Sequence, residues 1–176
     1  MITTYSRTEL AHYSRAAQCY EFNARYFPLA LDVRWPYNPA VMMTAINLGE
    51  FQGILRGLGP VKRLTDADKA KGFTTDSPTG LYVGNDNGSV DSTAWQINGG
   101  DPLLLPETAA YMAHKLWSTS AKKDPFEHWY AYKNRNLTDK SKQDWGYFLG
   151  IAAGVPGLLN MPLTWRDAQP FRKKKA

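Results

Sequence analysis

The chain has 176 residues, 43% of them hydrophobic, which suits one packed domain and excludes a wholly disordered chain. A formal charge of +5 and a sequence pI of about 9.3 point to polyanionic partners: nucleic acid, anionic lipid or an acidic wall polymer. The single cysteine, Cys19, excludes an intramolecular disulfide framework, and no run of roughly eighteen apolar residues is present to span a membrane as a helix.

The first predicted element is a helix in "SRTELAHYSRAAQCYEFNARYF". Ser6 serves as its cap, Glu9 stands three residues on, and Leu10, Tyr13, Ala17 and Tyr20 fall at helical spacing. The opening residues lack the apolar core of a secretory signal, so none is expected. "PLALDVRWPY" reads as an irregular connector. The clearest helix is "NPAVMMTAINLGEF", with Asn38 as cap, Pro39 in the first turn, and Met42, Ala45, Ile46 and Gly49 on one face.

Residues 53–92 are rich in Gly and Pro and read as loops and short turns, a length that in a compact domain often marks function. Within them "GLYV" is predicted as a strand that turns through "NDNG". The segment from Gly84 to Gly100 is expected to form a β-hairpin. Trp95 and Ile97 alternate there with Gln96 and Asn98, which would put an apolar face inward and an amide face outward. A helix at "LPETAAYMAHKLWST" follows, then a short aromatic turn or helix at "DPFEHWYAYKNR". A last helix, "SKQDWGYFLGIAAGV", is expected to end at "VPG". The class is mostly α with a small β element. The expected organisation is an N-terminal helix and connector over 1–37, a main domain over 38–160 and a basic tail over 161–176. Arg172, Lys173, Lys174 and Lys175 make that tail a solvated cationic run.

Glu50 is the first candidate for chemistry. It ends an apolar helix, where burial would raise its carboxyl pKa toward that of a general acid at neutral pH. A glutamate near a helix C-terminus also opposes the helix dipole, so helix stability does not account for it. Asp86 and Asp91 flank the polar turn. Asp86 fits the turn itself, whereas Asp91 has the chemistry to face Glu50 across a cleft as a carboxylate pair for glycoside hydrolysis. His12, His114 and His128 show no metal-ligand spacing, and no phosphate loop or nucleophile elbow is present, so no metal or other cofactor is expected.

Together "AVMMTAINLGEFQG", "NGSVDSTAWQINGG" and "DPLLLPETAAYMAHKLWSTSAKKDPFEHWYAY" resemble the lysozyme superfamily, in particular lytic transglycosylases and goose-type lysozymes. The order is that of the family: a Glu-bearing helix, a hairpin ending in Gln-Ile-Asn, an Ala-rich helix and an aromatic turn. Phe51 departs from it, since many relatives carry Ser directly after the Glu. The resemblance implies a lysozyme-like fold and cleavage of the β-1,4 bond between N-acetylmuramic acid and N-acetylglucosamine in peptidoglycan. Glu50 is then the acid and Asp91 the second carboxylate. Gln96 and Asn98 then contact sugar amides and hydroxyls, and Trp95, Trp129, Tyr130 or Tyr132 stack on sugar faces, with Tyr132 placed near the Glu; read from the residues alone, Trp95 and Trp129 are more readily core rings, and Gln96 is as readily a structural hydrogen bonder beneath the hairpin. With neither a signal peptide nor a separate wall-binding domain expected, a bacteriophage enzyme carried in the virion tail or released to the cell wall is expected, with other tail proteins as partners and no nucleic acid. Two alternatives stand beside it: a non-catalytic structural or adaptor protein of the same fold, and a basic nucleic-acid-binding domain.

Overall fold

A computed structural model describes residues 6–59, 61–84 and 89–160. Helix α1 spans Arg7–Tyr26 and opens on a full capping box: Ser6 Oγ accepts the Glu9 N–H, and the Glu9 carboxylate accepts the Ser6 N–H. Helix α2, Pro39–Phe51, starts where Asn38 Oδ1 accepts the Val41 N–H and Pro39 fills the first turn. Residues Pro39 to Leu48 are all buried, so α2 is a central helix rather than a surface one, and α1 and the last helix, α6 (Asp139–Leu159), pack along it.

A fully buried helix needs its polar groups paired, and α2 meets that need with a knot to α1. Asn23 Nδ2 donates to Thr44 Oγ1 at 3.0 Å and to Asn47 Oδ1 at 2.8 Å. Asn47 Nδ2 donates in turn to the Ala94 carbonyl, and Trp95 Nε1 donates to Asn23 Oδ1 at 2.7 Å. The knot thus ties the two helices to the segment that follows the loops. With Ala16, Cys19 and Asn23 buried, α1 shares the core of the following residues.

The β structure is built from very short strands. Strands β1 (Leu58–Gly59), β4 (Asp91–Ser92) and β5 (Ile97–Asn98) form an antiparallel sheet in the order β1-β4-β5. Strands β2 (Val61–Arg63) and β3 (Leu81–Val83) pair separately, with Lys62 opposite Tyr82, and the one-turn helix α3 (Asp66–Ala70) lies between them in sequence. The predicted reversal at "NDNG" falls on residues 85–88, outside the described ones. "GLYV" pairs back to β2, and the hairpin within 84–100 reverses at Thr93–Gln96 between β4 and β5. Thr93 (φ 65) and Gln96 (φ 50) take the left-handed backbone for that turn, closed by a bond from the Gln96 N–H to the Thr93 carbonyl. Burial of the Trp95 indole overrides the period-two pattern: Trp95 lies in the turn, not on a strand face.

Helix α4 covers Pro106–Ser118. The aromatic segment divides into a 3-10 turn at Pro125–His128 and the short helix α5, Tyr130–Lys133. Around the 3-10 turn Phe126, Trp35, Trp117 and Phe27 pack together, Phe27 stacked on Phe126 and the other ring pairs edge-on or tilted, with Trp35 and Phe126 centroids 4.8 Å apart. Helix α6 runs Asp139–Leu159, capped by Thr138. The expected stop at "VPG" does not occur. Pro156 sits inside the helix, and the last turn persists because Val155 and Leu159 pack with Ala16 and Leu48. The protein is mostly α with a small antiparallel β component. Among the described residues no helix is long and apolar enough to cross a membrane.

Candidate functional site

A cleft of about 1080 Å³ opens between the end of α2 and the β4–β5 turn, and extends over α5 to α6. Its position follows from one close approach. Gly49 faces α5 so tightly that a Cβ there would lie 2.9 Å from Ala131 Cβ, and only glycine lets the last turn of α2 reach α5. The next residue, Glu50, is thereby held at the cleft wall, and its Oε1 accepts the Ala131 N–H at 2.7 Å. Beyond it α2 stops on left-handed Gln52 (φ 53), and Phe51 turns onto Gly57, where a Cβ would meet the ring at 3.1 Å.

Burial pushes the Glu50 carboxyl above its ordinary range. The Ala131 N–H opposes this, the negative charge of Asp91 adds to it, and the Tyr130 N–H opposes it more weakly, leaving the carboxyl raised. Desolvation dominates because the wall around Glu50 is apolar: Trp129, Trp145 and Phe148 line the same cleft.

Asp91 lies on β4, paired with Gly59 on one side and Asn98 on the other. Asp91, Gln96 and Asn98 all line the cleft with Glu50. Gln96 is braced: its Nε2 donates to the Thr93 carbonyl at 2.7 Å, and its amide lies 3.0 Å from where a Gly59 Cβ would stand. The fold therefore brings together Glu50, Asp91, Gln96 and Asn98.

Of the expected aromatics, Trp95, Trp129 and Tyr130 line the cleft and Tyr132 does not, and the two indoles are almost wholly buried. The Trp95 side chain is fully buried and tied to Asn23, so its ring face is unavailable to a ligand. Trp129 is nearly buried, and its Nε1 donates to the Trp95 carbonyl at 2.9 Å. Tyr132 is 3% exposed and does not line the cleft. Its hydroxyl donates to Asp124, and Arg135 stacks 3.7 Å above its ring. Burial, then the bond to Asp124, pushes the Tyr132 hydroxyl up to about 12, which fits a tyrosine that stays neutral in the core. These rings follow the core because indole and phenol bury large apolar area once their polar atoms find partners.

Tyr130, 75% exposed, is the aromatic that opens on the cleft beside Glu50. Sequence reasoning missed Trp145, Phe148 and Asn134, which line the arm over α5 and α6. The Asn134 amide nitrogen is shielded and lacks a hydrogen-bond partner. The available signal was helical spacing: Trp145 and Phe148 are three residues apart on α6 and share its face toward α2 and α5. His128 also lines the cleft, with its Nε2 2.7 Å from Ser120 Oγ. Among the described residues no group of three or more His, Cys, Asp or Glu side chains converges as a metal site. Comparison of the chain with known protein families, with curated proteins and with solved structures gives no match.

Proposed function

We propose that the chain is a peptidoglycan glycosidase of lysozyme-like fold, cleaving the β-1,4 bond between N-acetylmuramic acid and N-acetylglucosamine. One observation carries this reading: a carboxyl raised by burial, Glu50, stands in a large cleft with a second carboxylate, Asp91, and two side-chain amides. Protonated Glu50 delivers its proton to the glycosidic oxygen as the bond to the anomeric carbon breaks. Asp91 then offsets the positive charge on the sugar ring, or orients water to attack it, and the attacking water gives its proton to ionised Glu50, which completes hydrolysis. If the substrate's own 6-hydroxyl attacks instead, its proton passes to ionised Glu50 as the new bond to the anomeric carbon forms, which regenerates the acid and gives an anhydro sugar. The Ala131 N–H holds one Glu50 oxygen in place, so the carboxyl keeps one orientation through the cycle.

The amide wall suits an acetamido group, which offers both a donor and an acceptor. The basic character of the chain suits an anionic wall polymer. The test is incubation of purified protein with peptidoglycan and mass spectrometry of the released muropeptides. Reducing ends identify hydrolysis and anhydro ends identify transglycosylation. Absence of release by a folded protein overturns the reading.

One observation favours a second reading, a non-catalytic structural protein. The bond from Ala131 gives Glu50 a purely mechanical use, joining α2 to α5. The Glu50→Gln variant separates the two. An amide oxygen still accepts that N–H, so a mechanical role survives the change while proton donation does not.

A further inference from the structure

Residues 28–37, in the connector between α1 and α2, form an ordered loop that holds three aliphatic side chains in the open. Leu29 is 55% exposed, Leu31 72% and Val33 fully so, and Tyr37 is exposed at the loop's end. The loop is pinned at both ends. The Pro28 carbonyl accepts the Ala40 N–H at 3.3 Å, and Trp35 is buried against Phe126 and Trp117. Between the ends Asp32 closes a turn. Its carboxylate accepts the Arg34 backbone N–H, Nε and Nη2 at 3.0, 3.1 and 3.0 Å, and its carbonyl accepts the Trp35 N–H. Arg34 also lies over the Trp35 ring at 4.2 Å. The polar groups of the turn thus satisfy one another, and Leu31 and Val33, on either side of Asp32, are left to solvent. None of these residues lines the cleft, so the proposed cleavage makes no use of them.

Cations stand beside the loop. Trp35 Nε1 donates to Asp124 at 3.5 Å, and exposed Lys122 and Lys123 immediately precede that aspartate. Independently of the cleft, we infer that this surface is a peripheral membrane-contact site: Leu29, Leu31 and Val33 enter the interface of an anionic bilayer, and Lys122 and Lys123 meet its headgroups. Three aliphatic tips on a loop fall short of the ~800 Å² per partner that a stable protein interface buries. A bilayer interface requires no matching contour. It takes aliphatic side chains into the acyl boundary, favours a tyrosine at headgroup depth and draws cations when its lipids are anionic. Arg34 is paired with Asp32, so the attraction falls to the two lysines and to the net positive charge of the chain. Aliphatic insertion and charge act together here, each being marginal alone.

Co-sedimentation of the full chain with vesicles tests this, phosphatidylglycerol–phosphatidylcholine mixtures being compared with pure phosphatidylcholine. The chain is expected to partition onto the anionic vesicles, and less so as salt rises. Leu31→Ser with Val33→Ser is expected to weaken that partition on the order of a hundredfold, and Lys122→Gln with Lys123→Gln about tenfold with a flatter salt dependence. All four side chains are exposed, so the fold should be retained, which circular dichroism checks. A fluorophore attached at Val33→Cys reports on the loop directly, because Cys19 is fully buried and stays unlabelled. Its emission should shift to the blue on anionic vesicles. Three results overturn the inference. One is no partition. Another is partition that Leu31→Ser with Val33→Ser leaves unchanged, which assigns it to charge alone. The third is a concentration-dependent dimer in sedimentation velocity that the same variant dissolves, which assigns the loop to a second copy of this chain. Muropeptide release from isolated peptidoglycan by that variant should match the wild type, so failure of the lipid contact and failure of the glycosidase reading are scored separately.

Discussion

The two walls of the cleft are built by opposite means. The Glu50 wall ends a helix that is buried at ten consecutive positions and pinned to α1 by Asn23, Thr44 and Asn47. The Asp91 wall is made of two-residue strands joined by a turn with two non-glycine residues in the left-handed region. The first wall draws its stability from burial and from paired buried amides. The second draws it from a buried turn, Ser92 to Trp95, whose Trp95 indole is plugged into the first wall's knot and whose Ala94 and Trp95 carbonyls accept from Asn47 and Trp129. On the proposed reading, a proton donor must be placed to a fraction of an ångström, which the buried helix and the Ala131 bond favour.

Glu50→Gln is the sharpest way to break that comparison. Glycan cleavage should fall on the order of a thousandfold while the circular dichroism spectrum stays unchanged. Asp91→Asn, on the other wall, should give a smaller, graded loss in the same muropeptide assay, and equal losses would mean that both walls are equally catalytic.

Stability of the first wall rests on the knot. Asn23→Ala removes the partner of Trp95 Nε1, Thr44 and Asn47 together, and should lower unfolding free energy by about 2–4 kcal/mol in urea titration. Gly49→Ala should cost about 1–3 kcal/mol, because its Cβ would press on Ala131. Cleavage should fall with it, since the Glu50–Ala131 bond depends on the same approach. A neutral Gly49→Ala would show that α5 yields easily and that the helical wall is less fixed than its burial suggests.

The pH dependence carries a definite sign. Because burial raises the Glu50 pKa in the folded state, the folded protein binds more protons than the unfolded one between the two values. The stability contribution of protonated Glu50 is therefore full below the unfolded value and lost as pH rises through the folded value. Glu50→Gln should remove that slope in thermal melts measured from about pH 4 to pH 8. Cleavage should decline over the same upper range as the acid ionises. The smallest effect is expected at Tyr132→Phe, which loses one hydrogen bond to Asp124, about 1 kcal/mol, and leaves turnover within twofold. A large loss of turnover there would return Tyr132 to the site.

Much of the helical frame was legible because its signals are local. Ser6 with Glu9 announced the start of α1, and Asn38-Pro39 announced the start of α2. Glu50 stood out because an ionisable group at the end of an apolar helix has few structural uses, and Asp91, Gln96 and Asn98 reach the same cleft. The aromatics were not separable in this way. Trp95 and Tyr130 are both large rings in polar surroundings of sequence, and only the depth of each, with Asn23 waiting for the Trp95 indole, sends one inward and leaves the other exposed.

The sequence by itself determined the mostly helical class, the caps and the carboxyl to watch, because capping, proline geometry and helical periodicity act within a few residues. Tertiary structure decided where the hairpin reverses, that α6 runs on through Pro156, which rings are core, and that Lys62, Trp145 and Phe148 face the cleft. Those outcomes turn on contacts between residues far apart in the chain, where burial of one indole or of one helix face outweighs the local preference of the segment that carries it.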